Sequence, residues 1–204
     1  MKTVLDRGDF VFKPPELGCV LSLPELPGGG GTVYDRSAYG NTGAITGATW
    51  VRLASGLWCL SFDGNDDCVD CGDGSSLSLT TFTLCTWFKT SMTGASGVLL
   101  AKGPWDGPAT NYCLQISTSD KLRGFYGYTS GWTGTIVDSA STVNDGAWHF
   151  GALTYDGTTV TLYLDDATPV TRVPGQTIAT NTNILCLGAW NASGDRYAGS
   201  MALP

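Results

Sequence analysis

Between Trp148 and Asp166 the chain reads WHFGALTYDGTTVTLYLDD, with apolar and polar positions alternating on both sides of an Asp-Gly turn. Ala152 and Thr154 alternate into Tyr155, and Val160, Leu162 and Leu164 then resume the period of two. Alternation flanking Asp-Gly predicts a β-hairpin, because a short turn there matches the twist of two antiparallel strands. Similar short runs recur along the chain. CVLSLPEL predicts a first strand, Pro27 to Gly31 a loop, and the stretch from Val33 to Trp50 a turn near Gly40-Asn41 and a further strand. LWCLSFDG, DDCVDCG, LTTFTLCTWFK, GVLLAKG, NYCLQIS, KLRGFYGY, GTIVDSA, NILCLGAW and YAGSMAL complete the series. No window sustains the 3.6-residue period of an amphipathic helix. About a dozen short strands at this spacing predict an all-β fold, a two-sheet antiparallel β-sandwich of the jelly-roll kind.

The chain has 204 residues, 28 of them glycine, and only 14% are charged. That length suits one all-β domain over residues 17–204. Residues 1–16 show no alternation and close on Pro14-Pro15, so they read as an arm: a loose terminus or a tether to a larger assembly. The net charge of −7 and the scattered eleven Lys and Arg exclude a polyanion-binding stripe, and with it nucleic acid. No run approaches the ~20 apolar residues of a membrane-spanning helix. Asp6, Arg7 and Asp9 interrupt the place where a signal peptide carries its apolar run. The chain is therefore expected to be either a mature piece of a secreted protein, extracellular or at a cell surface, or made in a cytosol and soluble there, as a virion-surface protein would be.

Seven cysteines (Cys19, Cys59, Cys68, Cys71, Cys85, Cys113 and Cys186) form an odd set. Cys68 and Cys71 make a lone CxxC without the further ligands that a structural zinc site needs. Most of the others sit at strand positions that suit a small apolar side chain, so reduced, buried thiols are expected. If WCLSF paired with DDCVDC, alternation would put Leu60, Phe62, Val69 and Cys71 on one face and Cys59 and Cys68 on the other. That pattern disfavours a bridge from Cys59 to Cys71.

The hairpin resembles a signature of laminin-G-like domains in the concanavalin A-like lectin superfamily, and further segments follow in the same order. Val33-Tyr34-Asp35-Arg36-Ser37 with Gly40-Asn41 is similar to the family's V-x-D-x-S-G-x-G-N. Leu60-Ser61-Phe62-Asp63-Gly64, then Asp66-Asp67 and Val69, resembles L-x-F-D-G-x-D-D-Y-V with Cys68 in the Tyr place. Phe82-Thr83-Leu84 to Trp87, Leu187-Gly188-Ala189 and Gly199-Ser200 resemble later motifs, so the likeness runs from residue 19 to 200. The end departs from the pattern: Ala202 stands where an Asp is usual, and the chain stops where a last strand normally pairs with the first. That implies an unpaired sheet edge to be covered by the arm, a neighbouring subunit or further sequence. Pro204 fits an end to pairing because it cannot donate to a ladder.

The resemblance also implies a calcium site at Asp63, Asp66 and Asp67, weakened by Ala202. The alternative is a plain turn whose Asp side chains accept backbone N–H groups. The superfamily's hydrolases carry an E-x-D-x-x-E strand, which is not found in this sequence, and Asp165-Asp166 point to opposite faces of a strand. His149 is the only histidine, there is no G-x-S-x-G elbow, and no catalytic residues are expected. Ligand binding is expected instead at loop-like aromatics and their polar neighbours: Trp105, Asp106, Tyr126, Tyr128, Trp132, Trp190 and Asn191. The competing role for these rings is to shield the core edge. Trp87 and Trp148 lie on motif strands and are expected to pack. Asn191-Ala192-Ser193 is a glycosylation sequon, meaningful on a eukaryotic secretory route.

Three readings follow. The first is a non-enzymatic recognition or adhesion module that binds glycan or a surface protein. The second is a structural virion decoration or fibre-head protein, oligomeric through residues 1–16 and the C-terminal edge. A glycoside hydrolase is a distant third.

Overall fold

The computed structural model describes residues 18–24, 30–104, 110–131, 133–191 and 194–202. Within them the chain forms β1 (Thr32–Val33), β2 (Gly43–Thr46), β3 (Thr49–Arg52), β4 (Trp58–Asp63), β5 (Cys68–Asp70), β6 (Phe82–Lys89), β7 (Gly97–Lys102) and β8 (Tyr112–Ile116). β9 (Lys121–Tyr126), β10 (Val137–Thr142), β11 (Trp148–Tyr155), β12 (Val160–Leu164), β13 (Val170–Arg172), β14 (Leu185–Leu187) and β15 (Ala198–Ala202) follow. Two antiparallel sheets pack face to face, ordered β1-β2-β5-β14-β7-β8-β9-β10 and β13-β12-β11-β6-β15-β4-β3. The all-β sandwich expected from the alternation is the observed fold.

The expected hairpin is β11–β12, with Leu153 opposite Leu162 and Tyr155 opposite Val160. Its turn is held by Asp156, whose Oδ1 accepts the amides of Thr158 and Thr159 at 2.8 and 2.7 Å. Leu84 and Phe88 on β6, Leu153 on β11, Met201 on β15 and Leu60 and Phe62 on β4 all enter one inter-sheet core. β7 and β8 are buried on both faces. A second apolar cluster of Val98, Ala101, Cys113, Phe125 and Trp190 covers the outside of the eight-stranded sheet there.

One expectation is corrected. CVLSL is not a strand: among the described residues 18–24 it is a strap held by side chains and by the Arg36 amide, which donates to the Ser22 carbonyl at 2.8 Å. Asp35 Oδ1 accepts the amide of Ser22, Asp35 Oδ2 accepts that of Asn41, and Asn41 Nδ2 donates to the Val20 carbonyl. This is the physical content of the Val-x-Asp-x-Ser…Gly-Asn motif. β4 and β5 do not pair with each other, because the turn between them carries the chain from one sheet to the other. Leu60, Phe62, Val69 and Cys71 still share one core, approaching it from opposite sides.

The last strand lies inside the seven-stranded sheet. β15 lies between β4 and β6, with Met201 opposite both Leu60 and Phe88. It is shorter than β6, however, and reaches only Trp87 to Lys89 on that strand. Beside Phe82 to Cys85 lies an apolar cavity of about 360 Å³, closed partly by the strap residues Cys19, Val20 and Leu21.

Candidate functional site

The expected loop aromatics do not converge. Tyr126 is 0% exposed at the end of β9, its ring centroid 4.4 Å from that of Tyr155 and its hydroxyl donating to the Gln176 carbonyl at 2.5 Å. Trp190 is 3% exposed, and its Nε1 donates to Asp195 at 3.0 Å. Tyr126 belongs to the inter-sheet core and Trp190 to the cluster outside the eight-stranded sheet. Both rings are buried, so neither presents an exposed face. Tyr128 is half-buried and bridges Gly131 and Ile178, while Asn191 is exposed in a left-handed turn at φ 41°. Trp105, Asp106 and Trp132 lie outside the described residues.

A different aromatic surface is present, on the outer face of the seven-stranded sheet. On β6 burial alternates, with Phe82, Leu84, Thr86 and Phe88 inside. The opposite parity sends Trp87 and Lys89 outward, as period-two geometry requires. Trp87 is 44% exposed, a correction to the expectation that it packs. It stands opposite Phe150 on β11, the two ring centroids 5.3 Å apart at 55°. Tyr163 on β12 and Val51 on β3 are exposed on the same face. Small side chains lie between them: Ala152 is opposite both Tyr163 and Cys85, and Ala202 is opposite Trp87.

One pleat along, the row turns polar. Lys89 stands opposite Trp148 and Ser200, Ser200 opposite Ser61, and Ser61 opposite Thr49. Lys89 and Thr49 are exposed, whereas Trp148 and the two serines are half-buried. A groove of about 430 Å³ lined by Lys89, Thr90, Met92, Gly146 and Ser200 continues this row off the sheet. The result is an apolar band flanked on one side by hydroxyls and an ammonium. The sequence signal for it was the parity of FTLCTWFK, in which Trp87 keeps company with Thr83 and Lys89 rather than with the core residues.

The three aspartates of the β4–β5 turn bring carboxylate oxygens within 4.8 Å of one another. Asp63 accepts the amide of Asn65 at 2.8 Å and its side-chain nitrogen at 3.0 Å, and the first of these bonds is the main reason its pKa is lowered. Asp67 Oδ2 accepts the Asp63 amide at 2.7 Å, which ties the turn shut. Arg196 donates to the backbone carbonyls of Asp66 and Asp67, adding a positive charge close by. Asp63 and Asp66 are exposed and Asp67 is buried, so two of the three carboxylates face solvent, where a hard cation wants six to eight oxygens.

His149 is clamped rather than poised for transfer. Its Nδ1 lies 2.8 Å from Asp165 Oδ2 and its Nε2 lies 3.1 Å from Asp145 Oδ1. Asp165 Oδ1 also accepts the Phe150 amide at 2.7 Å. Partial burial works against the imidazolium, but the bonds to Asp165 and Asp145 outweigh it and the pKa is raised above the usual 6.5. Burial pushes the thiols of Cys71 and Cys113 upward, which suppresses thiolate chemistry there.

No curated protein matches the chain by sequence. Among solved structures, the binding domain of Paraclostridial Mosquitocidal Protein 1 superposes with a TM-score of 0.67 at 13% identity. That match covers 90% of this chain and 47% of that one, so the chain spans about half of it. Domain 4 of AbnA, a GH43 extracellular arabinanase from Geobacillus stearothermophilus solved with arabinotriose, gives 0.55 at 15% identity, covering 79% of each chain. Mouse laminin alpha1 domains LG4-5 give 0.52 at 18%, covering 76% of this chain and 40% of that one. At these identities the likeness is one of fold. The Laminin_G_3 family model, described as the concanavalin A-like lectin/glucanases superfamily, matches residues 63–202. The two-sheet sandwich, the β11–β12 hairpin and that match together place the chain in the laminin-G-like branch of the concanavalin A-like lectin/glucanases superfamily.

Proposed function

We propose that this domain is a non-enzymatic recognition module that binds glycan on the outer face of its seven-stranded sheet. The observation that carries the reading is the outward, 44% exposed Trp87, paired with Phe150 and flanked by the Lys89–Ser200–Ser61 row. A pyranose has an apolar face and a rim of hydroxyls, and this surface offers aromatic rings beside donors and acceptors at one pleat's distance. The arabinanase domain solved with arabinotriose supports the reading as a relative in fold whose ligand is a short sugar chain. Trp87 leaves roughly 100 Å² of ring uncovered, and at ~25 cal/mol per Å² its full covering is worth roughly 2–3 kcal/mol. Part of that is lost to ordering the ligand.

The test is a glycan array followed by calorimetry on the native chain and on Trp87→Ala. The variant is expected to bind at least ~10-fold more weakly, which corresponds to about 1.4 kcal/mol, and to melt near the native temperature because the ring is exposed. Equal binding by Trp87→Ala moves the site to the loops around Tyr128 and Asn191. Capture of a surface protein with no glycan bound on the array turns the recognition reading from glycan to protein, and no binding at all favours the assembly reading.

A further inference from the structure

We infer that Cys19 and Cys85 form a dithiol modification site, which small-molecule disulfides oxidise to an intrachain bridge that fastens the strap to β6 beside the apolar cavity. The seven cysteines divide by access: Cys59, Cys68, Cys71, Cys113 and Cys186 are buried, whereas Cys19 and Cys85 are half-buried. Those two both line the cavity of about 360 Å³. They reach it from different elements, Cys19 from the strap and Cys85 from β6. Beyond Ala202, which stands opposite Trp87, β15 no longer pairs with β6, so among the described residues no strand stands between β6 and the strap there. The two thiols are near enough to feel each other's charge: Cys85 is held above the usual thiol range, first by burial and then by Cys19. Cys19 gives up little on bridging. Its thiol donates to the Leu21 carbonyl at 3.3 Å, and the ties to Asn41 and Asp35 fall on Val20 and Ser22 instead.

The chemistry is a pair of thiol–disulfide exchanges with glutathione disulfide. The thiolate of one cysteine attacks a sulfur of glutathione disulfide, which forms a mixed disulfide and releases one glutathione thiolate. The thiolate of the other cysteine then attacks the protein sulfur of that mixed disulfide. The Cys19–Cys85 bond forms and the second glutathione leaves. Two electrons pass from the protein pair to glutathione disulfide, and the two thiol protons end on the two glutathiones. Exchange needs a thiolate that the oxidant can reach, so the five buried cysteines stay reduced. The bridge pins the strap over the cavity in oxidising surroundings outside a cell, and a reducing cytosol leaves it unpinned.

The experiment treats the native whole chain with glutathione disulfide and maps the products by peptide mass spectrometry without reduction. The expected product carries one intrachain Cys19–Cys85 cross-link and five unmodified cysteines. Its melting temperature is expected to lie about 5 °C or more above that of the reduced chain, because the bridge constrains the unfolded state. Cys19→Ser and Cys85→Ser are each expected to melt within about 2 °C of the reduced native chain and to end with one bound glutathione and no cross-link. On the reduced native chain an alkylating reagent is expected to label Cys19 and Cys85 at least ~10-fold faster than the other five. Glutathione left on both cysteines without a bridge, a bridge between two copies, a bridge through any other cysteine, or no oxidation at all overturns the inference. The mapping and the labelling need no variant, so they read out even if a substitution harms folding.

Discussion

At the scale of single residues, the polar side chains with the clearest duties hold backbone in place. His149 is the sharpest case because its two carboxylate partners give it a pH signature. Its folded pKa is raised above the ordinary 6.5, so the stability it contributes is complete below about pH 6.5 and is lost as pH climbs through the raised value. Asp145 has a lowered pKa, chiefly from the Ala147 amide and then from His149, so its share is lost as pH falls through that lowered value, below the ordinary 3.8. The difference in melting temperature between the native chain and His149→Gln is therefore expected to be largest between about pH 4 and 6.5 and to shrink above neutrality. A difference that does not change across pH 5 to 8.5 would show that the ring only packs against Phe88. The Asp63–Asp66–Asp67 turn gives a second residue-scale test. Its bonds to Asn65 and Asp63 amides close the turn with protein atoms alone, so millimolar calcium is expected to move the melting temperature by less than about 1 °C. A rise of several degrees that Asp67→Asn abolishes would assign a cation to these oxygens instead.

At the scale of elements, alternation found the strands and missed what lies between or beside them. The β11–β12 hairpin was legible because its turn residues and its two apolar faces agree on one register. β6 was legible as a strand, and its outward Trp87 was legible as a parity, yet a tryptophan on a motif strand was expected to pack. Nothing in a period of two says which of its two faces another layer covers. The strap before β1 has the composition of a strand in CVLSL, yet its backbone is tied by the side chains of Asp35 and Asn41 and by the Arg36 amide, which donates to the Ser22 carbonyl. That tie is testable. Asp35→Ala removes acceptors for the Ser22, Ser37 and Asn41 amides and is expected to cost about 2–3 kcal/mol. In hydrogen exchange the Ser22 and Asn41 amides should lose protection ahead of β11, and uniform loss across the sandwich would mean that the strap is not a separate unit.

For the whole molecule, the local pattern of the chain determined the class of fold, the hairpin, most strand positions and the inward set of Leu60, Phe62, Leu162 and Leu164. Each of these depends on neighbours a few residues apart, where backbone geometry forces side chains to alternate. Tertiary structure alone decided that β4 and β5 join different sheets, that β15 enters between β4 and β6, and that Tyr126 and Trp190 are enclosed on opposite sides of one sheet. It also decided that Trp87 meets Phe150 and keeps 44% of its surface exposed. Those outcomes depend on strand order and on which layer reaches which surface, and both are set by contacts between residues far apart in the chain. A loop aromatic and a strand aromatic look alike in one dimension; only the stacking of the sheets separates a ring that is sealed in from one that is left facing water.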